Sequence, residues 1–151
     1  MSHAGKVFAV ALLVALAWAV APGAQAQAPI RIGASLSQTG LYAAIAQNQL
    51  RGYRLCVKHT NDKGGVLGRK LELVLHDDGS DPATAVRLYE QLITQDKVDL
   101  VLGPNSSPIV DAVADVTEKH KMPMVTNASA TSTHRKGRKF IFSMLAPAAR
   151  R

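Results

Sequence analysis

Cysteine is almost missing from this chain of 151 residues, with Cys56 standing alone. One cysteine excludes an internal disulfide, so the fold has to be held by packing. Cys56 falls in an amphipathic helical stretch, which predicts a buried small apolar residue rather than a reactive thiol. Chemical signatures are missing as well. There is no G-x-S-x-G elbow, H-E-x-x-H pair, Walker loop or G-x-G-x-x-G turn. His59, His76, His120 and His134 lack zinc-ligand spacing and read as scattered polar positions. No catalytic residue, metal or cofactor is therefore expected, and no internal repeat or low-complexity tract is evident.

Acidic residues are absent from the last 18 positions, although the whole chain carries a formal net charge of +7. Residues 27 to 133 hold 11 Lys/Arg and 11 Asp/Glu, which leaves that span neutral. The excess comes from Lys6, Arg135, Lys136, Arg138, Lys139, Arg150 and Arg151. This distribution places the charge at the end of the chain and not in its folded middle. Only Phe140 and Phe142 interleave with it, at strand spacing, so a nucleic-acid surface is not expected.

The N-terminus reads as an export segment. Met1 to Lys6 carries one positive charge, Val7 to Ala21 is continuously apolar, and Ala24-Gln25-Ala26 is a small-residue cleavage pattern. Fifteen apolar residues fall short of the about 20 that span a membrane. Residues 1–26 are thus expected to be a signal peptide, with a periplasmic mature chain from Gln27. The n-region has no Arg pair, which favours the ordinary secretory route.

The rest alternates strands and helices. Ile30–Leu36 reads as a first strand, followed by a polar turn at Ser37-Gln38-Thr39-Gly40. A helix from Tyr42 to about Asn61 places Ile45, Gln49, Gly52, Tyr53 and Cys56 near one face, with Gly52 expected to allow close helix–sheet packing. Gly64 and Gly65 suit a left-handed helix end. Lys70–His76 is the second strand, and Asp81-Pro82 starts a helix that runs to about Gln95. A fourth strand is expected over Met122–Asn127 and a fifth over Phe140–Met144. Such alternation implies an α/β fold with a doubly wound parallel sheet and right-handed crossovers.

The organising stretch is Val98 to Ala114. Val98–Leu102 has strand length, Gly103 and Pro104 stop it, and Asn105-Ser106-Ser107 form a polar turn. Pro108 opens a helical pattern with Ile109, Val113 and Val116, so Ser107 is expected as N-cap and Pro108 as first helical residue. In an open α/β sheet a ligand sits at the carboxyl ends of the strands. Free N–H groups at that helix start, with the Ser106 and Ser107 hydroxyls, suit a carboxylate; otherwise Ser107 merely caps its helix. His76-Asp77-Asp78 resembles a magnesium-holding acid pair. The later strand end carries no acid to accept phosphate, so a hydrated loop capping the next helix is expected. No base accompanies the serines. What remains is a surface of small hydroxyl residues at strand ends: Ser106, Ser107, Ser129 and Thr131.

From Ile30 to about Met144 the chain resembles the periplasmic leucine/isoleucine/valine-type substrate-binding proteins of ABC importers, with the type I periplasmic-binding fold. The motifs are S-x-T-G at Ser37–Gly40, N-x-K-G-G-V-x-G-x-K-L at Asn61–Leu71 and D-D-x-x-D-P at Asp77–Pro82. Val101-Leu102-Gly103-Pro104 with its following serines and Met122-Pro123-Met124-Val125-Thr126 complete the series. The resemblance implies a clamshell of two α/β lobes that closes on an amino acid or similar solute and docks on an ABC permease. It implies Ser107, flanked by Asn105 and Ser106, as a carboxylate ligand through hydroxyl and backbone N–H. It further implies that the backbone around Ala128 and a hydroxyl near Ala130 hold the carboxylate and ammonium groups. Ser129 and Thr131 neighbour that segment; Ala130 departs from the Thr often found there, and Thr131 replaces it only if the loop shifts by one. Ile45 lies about where a pocket-lining aromatic is common. Residues 27–151 are expected to be part of lobe one, with the second lobe absent, and so to bind weakly alone. Alternatives are a receptor for amides or urea on the same fold, or a secreted hydrolase-like α/β enzyme.

Overall fold

A computed structural model describes residues 27–127 and 137–145. Five strands form one parallel sheet: β1 (Ile30–Leu36), β2 (Leu71–Asp77), β3 (Leu100–Leu102), β4 (Met124–Thr126) and β5 (Ile141–Ser143), in the order β2-β1-β3-β4-β5. Three helices connect them: α1 (Ala43–Asp62), α2 (Pro82–Thr94) and α3 (Ser107–Lys119). The chain steps outward from β1 to β2, then returns past β1 to β3. Winding therefore reverses between β1 and β3, and the helices divide between the two faces.

Strand alternation sorts the side chains accordingly. Leu36 and Leu75 pack with Ala46 and Leu50 of α1 on one face. On the other, Val101 and Met124 pack with Ala85, Tyr89 and Leu92 of α2 and Ile109, Val110, Val113 and Ala114 of α3. Gly33 serves this second face: a Cβ there would stand 3.1 Å from both Leu92 and Val98 side chains. The doubly wound parallel sheet expected from the strand–helix alternation is what forms.

Local signals place the element ends well in some cases. Asp81 caps α2, its Oδ2 accepting from Thr84 N–H at 2.7 Å, with Pro82 in the first turn. Gly64 and Gly65 both take positive φ after α1, and a Cβ on Gly65 would lie 1.9 Å from Arg69 O. β3 is shorter than the apolar run suggests, because Lys97 is left-handed (φ 54°) and Val98 turns into the core, its N–H bonded to Leu92 O.

Three expectations of burial are overturned. Cys56 is exposed, not a core residue, and Gly52 is exposed with nothing within 4 Å of a built Cβ. Both follow from the rotation of α1: it turns Ala46 and Leu50 to the sheet and leaves the Gly52 and Cys56 side outward. Arg138, assigned to a charged tail, is docked on α3. Its guanidinium bonds Asp111 Oδ1 at 2.7 Å and Asp115 Oδ1 at 2.8 Å, with only 4% of the side chain exposed. The basic end of α3 also has specific partners, Lys119 and His120 meeting Glu90 of α2 at 2.8 and 2.7 Å.

Candidate functional site

Parallel strands bring every strand-to-helix turn to one rim of the sheet. That rim gathers Ser37–Tyr42 after β1, Asp78–Asp81 after β2, Gly103–Ser106 after β3 and Asn127 after β4.

The first two turns are locked together by the acid pair. Asp78 is buried, and its two oxygens accept from Ser35 Oγ at 2.9 Å and Ser37 Oγ at 2.6 Å; Ser80 N–H adds a bond at 3.0 Å. The hydrated-loop reading of Asp78 is thus wrong: β1 and β2 run in register, which sets its carboxylate against hydroxyls from the neighbouring strand end. Asp77 holds the outer side, accepting from the N–H groups of Gln38 and Gly79 at 2.9 Å and from Thr39 Oγ1 at 2.9 Å. Burial pushes the Asp77 carboxyl up, but bonds from Gly79, Thr39 and Gln38 outweigh it and hold the carboxyl below its ordinary range. Gly40 sits over this joint with φ 82°, where a Cβ would meet Gly79 O at 2.4 Å.

The third turn is held by α1. Asn105 Nδ2 donates to Gln49 Oε1 at 2.7 Å, and Gln49 Nε2 donates to Tyr53 Oη at 2.5 Å and to Gly103 O at 3.3 Å. Burial raises the Tyr53 hydroxyl, with the Gln49 bond acting against it. Tyr89 of α2, its phenol pushed well up by burial, donates to Leu102 O at 2.5 Å from the opposite face. The end of β3 is therefore pinned from both sides. Gly103 lies so near β4 that a Cβ would stand 2.7 Å from Thr126 Cβ.

The start of α3 differs from that of α2. Ser106, not Ser107, is the N-cap, and it makes no side-chain capping bond; Ser107 is already helical and Pro108 follows it. The shift arises because Ser106 keeps extended angles (φ −102°, ψ 142°) and its carbonyl accepts from Val110 N–H. The N–H groups of Ser107 and Ile109 have no intrahelical acceptor, and Pro108 has no N–H. Ser106 Oγ is buried without a partner, as is Asn127 Oδ1 on the next strand end. This corner combines backbone donors, an unpaired hydroxyl and an unpaired amide oxygen, which suits a small ligand with an anionic end.

Of the expected site residues, the structure brings Asn105, Ser106 and Ser107 together on the rim. Ile45 lies in the first turn of α1, 58% exposed, and Leu41, four residues before it, is exposed as well. Ala128, Ser129, Ala130 and Thr131 lie outside the described residues. Gln49, Tyr53 and Asn127 were not singled out as site residues. The i, i+4 spacing of Gln49 and Tyr53 puts them on one helix face, the one signal available for that pair.

A family model described as periplasmic binding protein matches residues 29–150. The chain is 34% identical over 113 residues to the Leu/Ile/Val-binding protein BraC3 of Rhizobium johnstonii, covering 74% of this chain and 30% of that one. Its fold superposes with a TM-score of 0.75 on the branched-chain amino acid transporter substrate-binding protein LivJ of Streptococcus pneumoniae, solved with isoleucine. That pair shares 29% identity, covering 79% of this chain and 34% of the other. A solute-binding protein of an ABC transporter from Rhodopseudomonas palustris, solved with 3,4-dihydroxybenzoic acid, gives a TM-score of 0.71 at 27% identity, covering 79% and 32%. The chain spans about one third of the length of these proteins.

Proposed function

Because the chain belongs to the periplasmic binding protein family, a family of binding proteins rather than enzymes, we propose that it supplies one wall of the solute site of a branched-chain amino acid importer. The solute's carboxylate sits on the first turn of α3, bonded by the N–H groups of Ser107 and Ile109 and by the hydroxyls of Ser106 and Ser107.

The observation that carries this reading is the open start of α3. The chain enters α2 and α3 through similar sequences, Asp81-Pro82 and Ser106-Ser107-Pro108. Asp81 caps its helix, whereas Ser106 leaves its own uncapped and keeps a buried hydroxyl unpaired. A carboxylate satisfies both deficits at once. Ile45 and Leu41 then offer apolar contact to an aliphatic side chain. The backbone around Ala128 and the hydroxyls of Ser129 and Thr131 belong to the same proposal, as do export by residues 1–26 and docking of the loaded protein on an ABC permease. The facing wall comes from the two thirds of the relatives' length that lies outside the match. One wall leaves every polar bond open to competing water, so residues 27–151 alone bind leucine more weakly than about millimolar, or about −4 kcal/mol.

The test joins residues 27–145 to the remainder of the Rhizobium relative and titrates leucine, isoleucine and valine by calorimetry. The joined protein binds them at least about tenfold more tightly than residues 27–151. Ser107→Ala in it weakens binding by about tenfold, the worth of one charge-assisted bond. Micromolar binding by residues 27–151 alone, or indifference to Ser107→Ala, overturns the reading.

A further inference from the structure

Arg138 stands three residues before β5 and reaches across to α3. Its Nη1 donates to Asp111 Oδ1 at 2.7 Å and its Nη2 to Asp115 Oδ1 at 2.8 Å, with a longer bond from Nη2 to the Asp111 carbonyl at 3.3 Å. Only 4% of the Arg138 side chain is exposed, against 32% for Asp111 and 79% for Asp115. A cation withdrawn this far from water is held by its carboxylates, and of the two Asp111 is the better shielded.

The position of Asp111 gives this pair a consequence at the rim. Asp111 follows Ser107 by four residues, so it lies on the same side of α3, about 6 Å further along the axis. The first turn of α3 holds no acidic residue, which makes Asp111 the α3 carboxylate nearest in sequence to the open N–H groups of Ser107 and Ile109. The positive end of a helix dipole extends over about one turn, and a carboxylate at its edge opposes a second anion there. The guanidinium cancels that charge where it arises.

We propose that Arg138 sets how strongly the start of α3 holds a carboxylate, by neutralising Asp111 one turn inside the helix. It is a positioning residue, acting through Asp111 without reaching the ligand. This rests on the reading of α3 given above and adds to it a group outside the ligand's own contacts. At separations of about 6–10 Å, with water close by, one uncompensated charge changes the binding of an anion by about threefold. Two carboxylates and one guanidinium leave the cluster with one negative charge; Arg138→Met makes it two and Asp111→Asn makes it none. A mere tether between β5 and α3 behaves differently, because Asp111→Asn then only breaks a contact and weakens the site. The two elements stay joined in every variant through Phe140 N–H, which donates to Glu118 Oε1 at 2.6 Å.

The test is an NMR titration of the mature chain, residues 27–151, with leucine up to its solubility limit, read at the amide resonances of Ser107 and Ile109. Asp111→Asn binds leucine about threefold more tightly than the unaltered chain, and Arg138→Met about threefold more weakly. The double variant, Arg138→Met with Asp111→Asn, again carries one negative charge and returns to the unaltered affinity although the ion pair is gone. If Arg138→Met fails to fold, Asp111→Asn decides alone, since a tether gives weaker binding and the proposal tighter. Unchanged or weaker binding by Asp111→Asn overturns the proposal, and so does a double variant as weak as Arg138→Met; in both cases the α3 reading stands. If leucine shifts neither amide in the unaltered chain, the α3 reading fails and this proposal fails with it.

Discussion

The side-chain amide of Asn105 donates to Gln49 Oε1 at 2.7 Å, joining the turn after β3 to a helix residue 56 positions earlier in the chain. Through Gln49 Nε2 the same helix residue holds Gly103 O, so one side chain fixes both ends of the turn that precedes α3. The open helix start is therefore held rigidly although no cap closes it.

Gln49→Leu keeps the volume and removes every one of these bonds. We expect a loss of about 1–2 kcal/mol in unfolding free energy, since both bonds are only part-buried and water replaces some of what is lost. Urea denaturation measures the loss. Faster hydrogen exchange at Ser106 and Ser107, with little change in the α2 amides, locates it in the turn.

Asp78→Ala removes the carboxylate that accepts from the buried hydroxyls of Ser35 and Ser37. An unpaired buried polar group costs about 1–3 kcal/mol, so this change is expected to cost more than Gln49→Leu. Adding Ser35→Ala and Ser37→Ala removes the stranded groups, and the triple variant should be no less stable than Asp78→Ala alone. A triple variant that loses further stability in urea shows that the serines act through contacts other than Asp78.

Acid should destabilise the fold through specific carboxylates. Hydrogen bonds outweigh burial and hold Asp77 low, Thr84 does the same for Asp81, and Lys119 and His120 for Glu90. A carboxyl whose folded value lies below its unfolded value of about 4 contributes stability that is fully present above that value. The contribution is lost as pH falls through the folded value. The urea midpoint should thus drop below about pH 4, and Asp77→Asn should flatten that drop because its amide does not titrate in this range. An unchanged slope would show that Asp77 contributes nothing to it.

Export provides a further check. Val7 to Ala21 followed by Ala24-Gln25-Ala26 predicts cleavage after Ala26. N-terminal sequencing of protein recovered from the periplasm should begin at Gln27, and an intact Met1 on that material refutes the assignment.

Short-range chemistry was legible in the residues themselves. Asp81-Pro82 announces a capped helix because the cap bond runs to Thr84, three residues on. Gly64 and Gly65 announce a helix end because their positive φ is a property of the backbone at that point. Apolar spacing likewise revealed five strands and three helices in their right order, and that order implied a parallel sheet with its polar turns on one rim.

The tertiary structure alone decided which of those polar residues are buried, and against what. Asp77 and Asp78 are adjacent acids in one turn; register with β1 buries Asp78 on Ser35 and Ser37, while Asp77 takes the outer bonds to Gln38 and Thr39. Gln49 meets Asn105, and Arg138 meets Asp111, for the same reason: their neighbours are set by strand order and helix rotation, which are collective. A turn of α1 about its axis exposes Cys56 and Gly52 without altering any local preference. Periodicity reports which residues share a face, but packing against the whole sheet chooses which face turns inward, and that choice places both the open start of α3 and the unpaired oxygen of Asn127.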